Sequence, residues 1–196
     1  MRIATRNNRT VYEDSDPFVR DTVQNAVRAG VPLREADLSG AYLSGLKLDN
    51  AIFNGATFYR ADLTGASLRN ANFIDAELNS AILVNADLHG ANFTDASLEY
   101  ADLACASLVN ATFVRASLAH ARLDYADITG CYFAGGAPAN IDLSRCAVHN
   151  QQPAPARTRY ASPAGAAASS DPHARCAYYG VCVANMLDPY VGACDP

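Results

Sequence analysis

The feature that most constrains this chain is a five-residue period that runs unbroken through its middle. Every fifth residue from Leu38 to Phe133 is Leu, Phe or Ile, over 20 successive positions. The residue two places earlier is Ala at 18 of the 19 positions from Ala36 to Ala126, and Leu46 is the exception. A fixed period this short predicts a solenoid, in which each repeat packs only on its neighbours. It leaves few residues from which a catalytic pocket could be built.

The phenylalanines indicate how many repeats close one turn. Phe58 stands alone, but the other phenylalanines of the repeats follow one another at intervals of 20 residues: Phe53, Phe73, Phe93, Phe113 and Phe133. Four five-residue units per coil would stack these rings on one wall, where offset aromatic pairs are favourable. We therefore expect a four-sided tube filled by this core ladder, with layers about 4.8 Å apart.

The repeated unit is Ala-(Asp/Asn/Ser/Thr)-(Leu/Phe)-x-x, as in residues 61–65 (Ala-Asp-Leu-Thr-Gly) and 91–95 (Ala-Asn-Phe-Thr-Asp). This unit resembles the repeat of the pentapeptide-repeat family. The resemblance covers residues 36–135, and more weakly residues 31–150. It implies an all-β solenoid, namely a right-handed, four-sided β-helix with one pentapeptide on each side.

Residues 1–30 precede the repeats and predict an N-terminal cap. A hairpin is expected about Asn7 and Asn8, followed by a helix from about residue 17 to residue 29. Asp16 is the expected N-cap of this helix, and Gly30 stands where the helix should end. An open solenoid end exposes its core and unpaired strand edges, so a short helical cap is the expected role of this segment, and a partner-binding arm is the alternative.

The chain after the strict repeats divides into three parts. The β-helix is expected to extend over residues 31–150, with a looser last coil. Residues 151–170 are rich in Pro, Ala and Ser and predict a flexible linker. Residues 171–196 contain many apolar side chains and predict a C-terminal extension that either covers the open end or joins two chains as a homodimer.

Charge is concentrated in the repeats. The whole chain carries −5, and residues 31–148 carry seven basic and 13 acidic residues, a balance of −6. An acidic rod disfavours direct binding to nucleic acid or to an anionic membrane. The chain has no apolar run long enough to span a membrane and no segment of signal-peptide type, so a cytoplasmic location is expected.

Residue types that carry chemistry are not arranged in any known catalytic or metal-binding pattern. Cys131 and Cys146 take the place of the inward Ala and are expected to pack as small hydrophobic side chains. His89 and His120 fall on different outward positions, and no Cys-x-x-Cys pair or phosphate-binding glycine loop occurs. The sequence therefore predicts a protein that is not an enzyme, with no cofactor and no metal.

The acidic residues of the repeats recur at an interval of 40. Asp62, Asp102 and Asp142 share one side on alternate coils, and Asp87 and Asp127 share the next side. Alternation keeps like charges from stacking directly, which is one explanation for it. The other is a regularly spaced acidic partner face that imitates a phosphate backbone. Spacing alone does not choose between them.

Two functions fit these observations. Family members that confer quinolone resistance or act on gyrase are acidic rods that occupy the DNA-binding site of a topoisomerase. The resemblance thus implies a DNA mimic, an inhibitor whose protein partner is a DNA-handling enzyme (topoisomerase or gyrase, or a host-defence nuclease complex). The alternative is a general protein–protein interaction scaffold without DNA mimicry.

Overall fold

The computed structural model describes residues 1–134, 143 and 145–147. Through the repeats, parallel bridges join residues that are 20 apart, from the Asp37–Thr57 bridge to the Asp127–Ala147 bridge. Four bridges occur in each 20 residues, so the chain forms a four-sided β-helix. The coils are joined by backbone hydrogen bonds, such as the 2.7 Å bond from the N–H of Leu43 to the carbonyl oxygen of Asp62.

The four sides are named faces A to D after the residues that point into the tube. Within each pentapeptide, position 1 is the small residue, position 2 the bridging residue and position 3 the inward residue, while positions 4 and 5 form the corner. The inward residues are Leu38, Phe58, Leu78, Leu98 and Leu118 on face A; Leu43, Leu63, Leu83, Leu103 and Leu123 on face B; Leu48, Leu68, Leu88, Leu108 and Ile128 on face C; and Phe53, Phe73, Phe93, Phe113 and Phe133 on face D.

The phenylalanines of face D form a continuous stack along the tube. Ring centroids are 5.0 Å apart from Phe73 to Phe93 and from Phe93 to Phe113, with interplanar angles of 3° and 9°. Phe58 enters from face A and meets Phe53 edge-on at 5.0 Å. In the coils after the first, these rings and the leucines of the other faces leave room at position 1 for only a small side chain, whereas the first coil holds the buried Leu46 there.

Cys131 and Cys146 lie buried at position 1. The thiol of Cys131 donates to the carbonyl oxygen of Leu108 at 3.0 Å, and that of Cys146 to Leu123 at 3.3 Å. Burial raises the pKa of the Cys131 thiol to about 12, so this thiol is protonated at neutral pH and packs as a small hydrophobic group.

Every corner of the tube has the same backbone conformation. All 20 residues at position 5 from Glu35 to Gly130 have positive φ, between 53° and 69°. Each corner is closed by a hydrogen bond from position 1 of the next unit to position 3, such as the N–H of Ala56 to the oxygen of Phe53 at 3.0 Å. Six of these residues are glycine, which adopts positive φ without strain.

The N-terminal residues form a hairpin and one helix. Strands β1 (Arg2–Ala4) and β2 (Thr10–Glu13) are antiparallel, and helix α1 spans Val19–Arg28. The helix ends in a Schellman motif, with the Gly30 N–H bonded to Val27 and the Val31 N–H bonded to Ala26.

The predicted N-cap of α1 is wrong. The capping residue is Phe18, which makes no side-chain cap, so the helix begins two residues later than expected. Asp16 instead accepts a hydrogen bond from the side chain of Asn25, in the second turn of the helix. Asp14 accepts from both Thr22, at 2.8 Å, and Asn25, at 3.1 Å. The carboxylates therefore tie the preceding loop to the side of the helix rather than to its first N–H groups.

Helix α1 lies against the first coil. Val23 and Ala26 are fully buried and belong to the same hydrophobic core as the inward leucines. The side-chain amide of Gln24 accepts from the backbone N–H of Lys47 at 3.1 Å and donates to its carbonyl oxygen at 2.6 Å. Gln24 thus satisfies two backbone groups of face C that would otherwise bond to a preceding coil.

Several predictions lie outside the described residues: Asp142, the linker over 151–170 and the extension over 171–196. Among the residues that the structure does describe, no helix is both long enough and apolar enough to cross a membrane.

Candidate partner-binding surface

The hairpin covers the lower part of face A. Thr5 bridges to Ala36, and the N–H of Asp37 donates to the oxygen of Ala4 at 2.8 Å. Thr57, the next bridging residue on this face, is only 2% exposed, whereas most position 2 side chains are at least partly exposed. Face A is therefore largely closed to a partner near the N-terminal end.

Arginines at the tip of the hairpin also pair with carboxylates on face A and at its corner with face D. The guanidinium of Arg6 forms a two-pronged hydrogen bond with Glu77, one prong of which is 2.9 Å long. This bond raises the pKa of Arg6 above its usual value. Arg9 lies 3.4 Å from Glu35 at the corner between faces D and A.

Four of the five predicted acidic residues are described, and they stand on faces B and C, whereas the hairpin lies on face A. Asp62 and Asp102 lie on face B with Ile82 between them, and Asp87 and Asp127 lie on face C with one serine between them. Two coils separate the members of each pair, which corresponds to roughly 9.6 Å along the tube. The structure thus brings these four carboxylates onto one side of the rod, in two parallel rows.

Each of these carboxylates is fixed by a local hydrogen bond. The Oδ1 atom accepts from the backbone N–H two residues later, in an Asx turn that gives the position 4 N–H a partner. The four bonds are Thr64 to Asp62 at 2.9 Å, His89 to Asp87 at 3.2 Å, Ala104 to Asp102 at 3.2 Å and Thr129 to Asp127 at 3.0 Å. The aspartates therefore have a structural role that sequence spacing does not reveal, and it holds their charges at fixed positions.

Two of the four described units with Ser at position 2 satisfy the same N–H in another way. Asp49, at position 4 of the coil below, accepts from both the hydroxyl of Ser67 and the N–H of Arg69, at 2.5 and 3.0 Å. Asn79 accepts from Ser97 and from the N–H of Glu99 in the same arrangement. In these units, an acceptor at position 4 of the coil below therefore takes the place of an acceptor at position 2 of the same unit.

Arginines pair with some of the carboxylates. On face B, Arg122 is 2.8 Å from Asp102, and on face C, Arg69 is 3.1 Å from Asp87. Asp62 makes no ion pair within the described part of the chain. These arginine side chains are more than half exposed, so each pair contributes little to stability.

The net charge of the repeats is similar on the two sides of the rod. Faces B and C carry six acidic and three basic residues between residues 41 and 130, and faces A and D carry the same numbers between residues 31 and 120. Arg6 and Arg9 bring the balance of faces A and D to −1, and Arg145, which is 3.6 Å from Asp124, together with Arg20, which donates to the carbonyl oxygen of Ser44, brings that of faces B and C to −1 as well. The sides differ instead in the hairpin, whose bridge, hydrogen bonds and ion pairs to the coils go to residues of faces A and D.

Exposed aromatic side chains gather around face B. Tyr42 and Ile82 are bridging residues of this face, exposed to 77% and 42%. Tyr100 stands at the corner with face A and stacks on His120, with ring centroids 4.8 Å apart. Tyr125 stands at the corner with face C. Face B is thus flanked by tyrosines on both edges.

No cluster of three or more His, Cys, Asp or Glu suited to a metal ion occurs in the described residues. The surface offers charge, hydrogen-bond acceptors and aromatic rings, which are the groups that recognise another macromolecule.

Comparison with solved structures finds similar chains. A pentapeptide repeat protein from the thylakoid lumen of Arabidopsis thaliana is 31% identical, with a TM-score of 0.50, over 61% of this chain and 77% of that one. HetL, a pentapeptide repeat protein involved in heterocyst differentiation regulation from Nostoc sp. strain PCC 7120, is 32% identical, with a TM-score of 0.40, over 51% of this chain and 52% of that one. This chain thus spans about half the length of HetL.

QnrB1, a plasmid-mediated fluoroquinolone resistance protein, is 23% identical, with a TM-score of 0.22, over 48% of this chain and 61% of that one. No curated protein matches the sequence. The family model for pentapeptide repeats matches residues 33–70, 71–104 and 96–135, with eight copies, which is more than half of the chain. Together with the 20-residue bridges and the inward Leu and Phe ladder, this match shows that the chain belongs to the pentapeptide-repeat family.

Proposed function

We propose that this protein is a non-catalytic acidic rod that binds a basic protein groove in place of DNA, and so inhibits a DNA-handling enzyme such as a topoisomerase, gyrase or a host-defence nuclease complex. The observation that carries the proposal is the pair of carboxylate rows on faces B and C. Asp62, Asp87, Asp102 and Asp127 stand on these two adjacent faces and are held by backbone hydrogen bonds. Carboxylates that are fixed before binding lose little freedom when a partner arrives. Asp142 continues the row of face B in the sequence and belongs to the same proposed surface.

The proposal is tested by charge removal that spares the Asx turns. An amide oxygen accepts the same backbone hydrogen bond as a carboxylate, so Asn in place of Asp62, Asp87, Asp102 and Asp127 removes four charges without removing the turns. We expect this variant to lose most of its ability to compete with labelled duplex DNA for gyrase or for a host-defence nuclease, measured by anisotropy at rising salt. Competition by the unmodified protein should weaken steeply as salt rises, because long-range attraction is screened.

The matched control changes the same number of charges on faces A and D: Asp75→Asn, Glu77→Gln, Asp95→Asn and Glu99→Gln. This variant should compete nearly as well as the unmodified protein. Equal loss in both variants would mean that only net charge matters and that no face is preferred. Absence of competition with DNA for either class of enzyme would contradict mimicry.

A scaffold that binds proteins without imitating DNA is the second candidate. The tyrosines around face B favour it, because Tyr is enriched at protein–protein interfaces and contributes energy that salt does not screen. Binding that is insensitive to salt and to the Asp→Asn changes would support this function.

Two further roles and a location complete the proposal. Helix α1 acts as the N-terminal cap, which the contacts of Gln24, Val23 and Ala26 support. Residues 171–196 join two copies in a homodimer, which truncation after Asn150 tests through the mass measured by light scattering. The cytoplasm is the compartment in which the protein would meet enzymes that act on DNA.

A further inference from the structure

Face B is distinguished from the other faces by its aromatic rings. Six large apolar or aromatic side chains of the repeats are exposed among the described residues, and all but Tyr132 lie on face B or at its two corners: Tyr42, Tyr59, Ile82, Tyr100 and Tyr125. Such side chains remain in water at a cost unless a partner covers them. Their grouping beside Asp62 and Asp102 places rings and carboxylates on the same strip.

The chain itself shows how these rings meet a cation. The guanidinium of Arg60 lies over the ring of Tyr59, 5.1 Å from its centroid. An arginine from outside would find the same kind of aromatic surface at Tyr42, the most exposed of the tyrosines, and at Tyr100. Attraction between a guanidinium and an aromatic ring adds to attraction by the neighbouring carboxylates.

We infer that face B binds arginine-rich segments of the basic partner, with Tyr42, Tyr100 and Tyr125 as aromatic anchors and Asp62 and Asp102 as charge partners. This inference rests on the proposed function, which requires a basic partner, and adds the face and the kind of side chain that is recognised. The net negative charge of faces B and C supplies the complementarity. Arginine is preferred to lysine, because a planar guanidinium stacks on an aromatic ring and pairs with a carboxylate through two N–H groups.

A fluorescein-labelled octaarginine peptide is the probe, and an octalysine peptide of the same charge is its control. Fluorescence anisotropy with the full chain gives the dissociation constants. We expect octaarginine to bind at least tenfold more tightly than octalysine.

The aromatic variant combines Tyr42→Ser with Tyr100→Asn and Tyr125→Asn, because Asn tolerates the positive φ of the two corner positions. It should bind octaarginine at least tenfold more weakly and lose the preference over octalysine. Tyr132→Ser removes a half-exposed tyrosine from face D and should change neither constant. Circular dichroism and thermal melting of each variant establish that the tube is intact.

The outcomes separate the inference from the proposal beneath it. If the four Asp→Asn changes weaken binding but the aromatic variant does not, the anchors are refuted while the acidic surface stands. If the aromatic variant weakens binding but the Asp→Asn changes do not, the partner is not recognised through charge and the inference fails. If octaarginine does not bind the unmodified protein, both the inference and the basic groove are contradicted.

Discussion

At the scale of single residues, the N–H at position 4 explains many of the polar side chains on the tube. It is satisfied by Asp or Asn at position 2 of the same unit in seven described units, and by an acceptor at position 4 of the coil below in two. The N–H of Ile74 has both kinds of acceptor nearby: Asn72 at position 2 of its own unit and Asn54 at position 4 of the coil below. The N–H of Ile74 is bonded to Asn72 at 3.1 Å, which leaves Oδ1 of Asn54 buried with no partner in the described structure.

This redundancy gives a testable difference between two asparagines. In Asn72→Ser, the side chain of Asn54 takes over the Ile74 N–H and accepts from the new hydroxyl, so the free energy of unfolding should change by less than about 0.5 kcal/mol. In Asn92→Ser, the residue below is Ile74, which has no acceptor, so the same change should cost about 1 kcal/mol or more. Urea denaturation of both variants measures the difference, and equal losses would contradict the exchange of acceptors.

The sequence predicts where side chains point but not what the polar ones do. Ala at position 1 and Leu or Phe at position 3 differ in size, so periodicity alone locates the core. The Asx turns were not anticipated, because Asp on a surface also fits a simple acidic face. The uniform positive φ at position 5 was also missed, although Gly40, Asn50 and Asp75 show the residue preference that signals it. Tyr100 and Arg115 hide that signal, since such residues rarely adopt this conformation.

At the scale of elements, α1 meets the β-helix through an amide that substitutes for a peptide group. Gln24 both donates to and accepts from Lys47, as a residue of an adjacent coil would. The helix itself was predictable from Val19, Val23 and Val27 on one side and Gly30 at its end. The contact was not, because no local pattern tells which residue of a helix will face an open strand edge.

Replacing Gln24 should loosen this end. Gln24→Met keeps the length of the side chain but leaves the N–H and C=O of Lys47 without their partners, which should cost about 1–2 kcal/mol. Arg20→Met is the control, since this exposed side chain makes one 3.3 Å bond to Ser44 and should cost less than about 0.5 kcal/mol. Hydrogen exchange at Lys47 should accelerate only in the first variant. Unchanged exchange there would contradict a capping role for the amide.

At the scale of the whole molecule, stability comes from the stack of rings and leucines along the axis. Phe93 lies between Phe73 and Phe113 and is fully buried, so Phe93→Ala should open a cavity and cost about 3–5 kcal/mol. Phe133 is only partly buried and should cost less when replaced by Ala. Thermal and urea unfolding of the two variants test this order. An equal and small loss in both would contradict a filled interior.

Because the bridges join residues that are 20 apart, the rod keeps its side chains in register only when its length changes by whole coils. Most backbone hydrogen bonds between coils join residues 19 or 21 apart, as in Leu63 to Ile82 and Ser67 to Leu46. Removing or duplicating a block of 20 residues leaves every later residue on the same face. A change of five residues would instead move all later carboxylates to the neighbouring face. The two rows of aspartates can thus grow or shrink with the rod without losing their alignment.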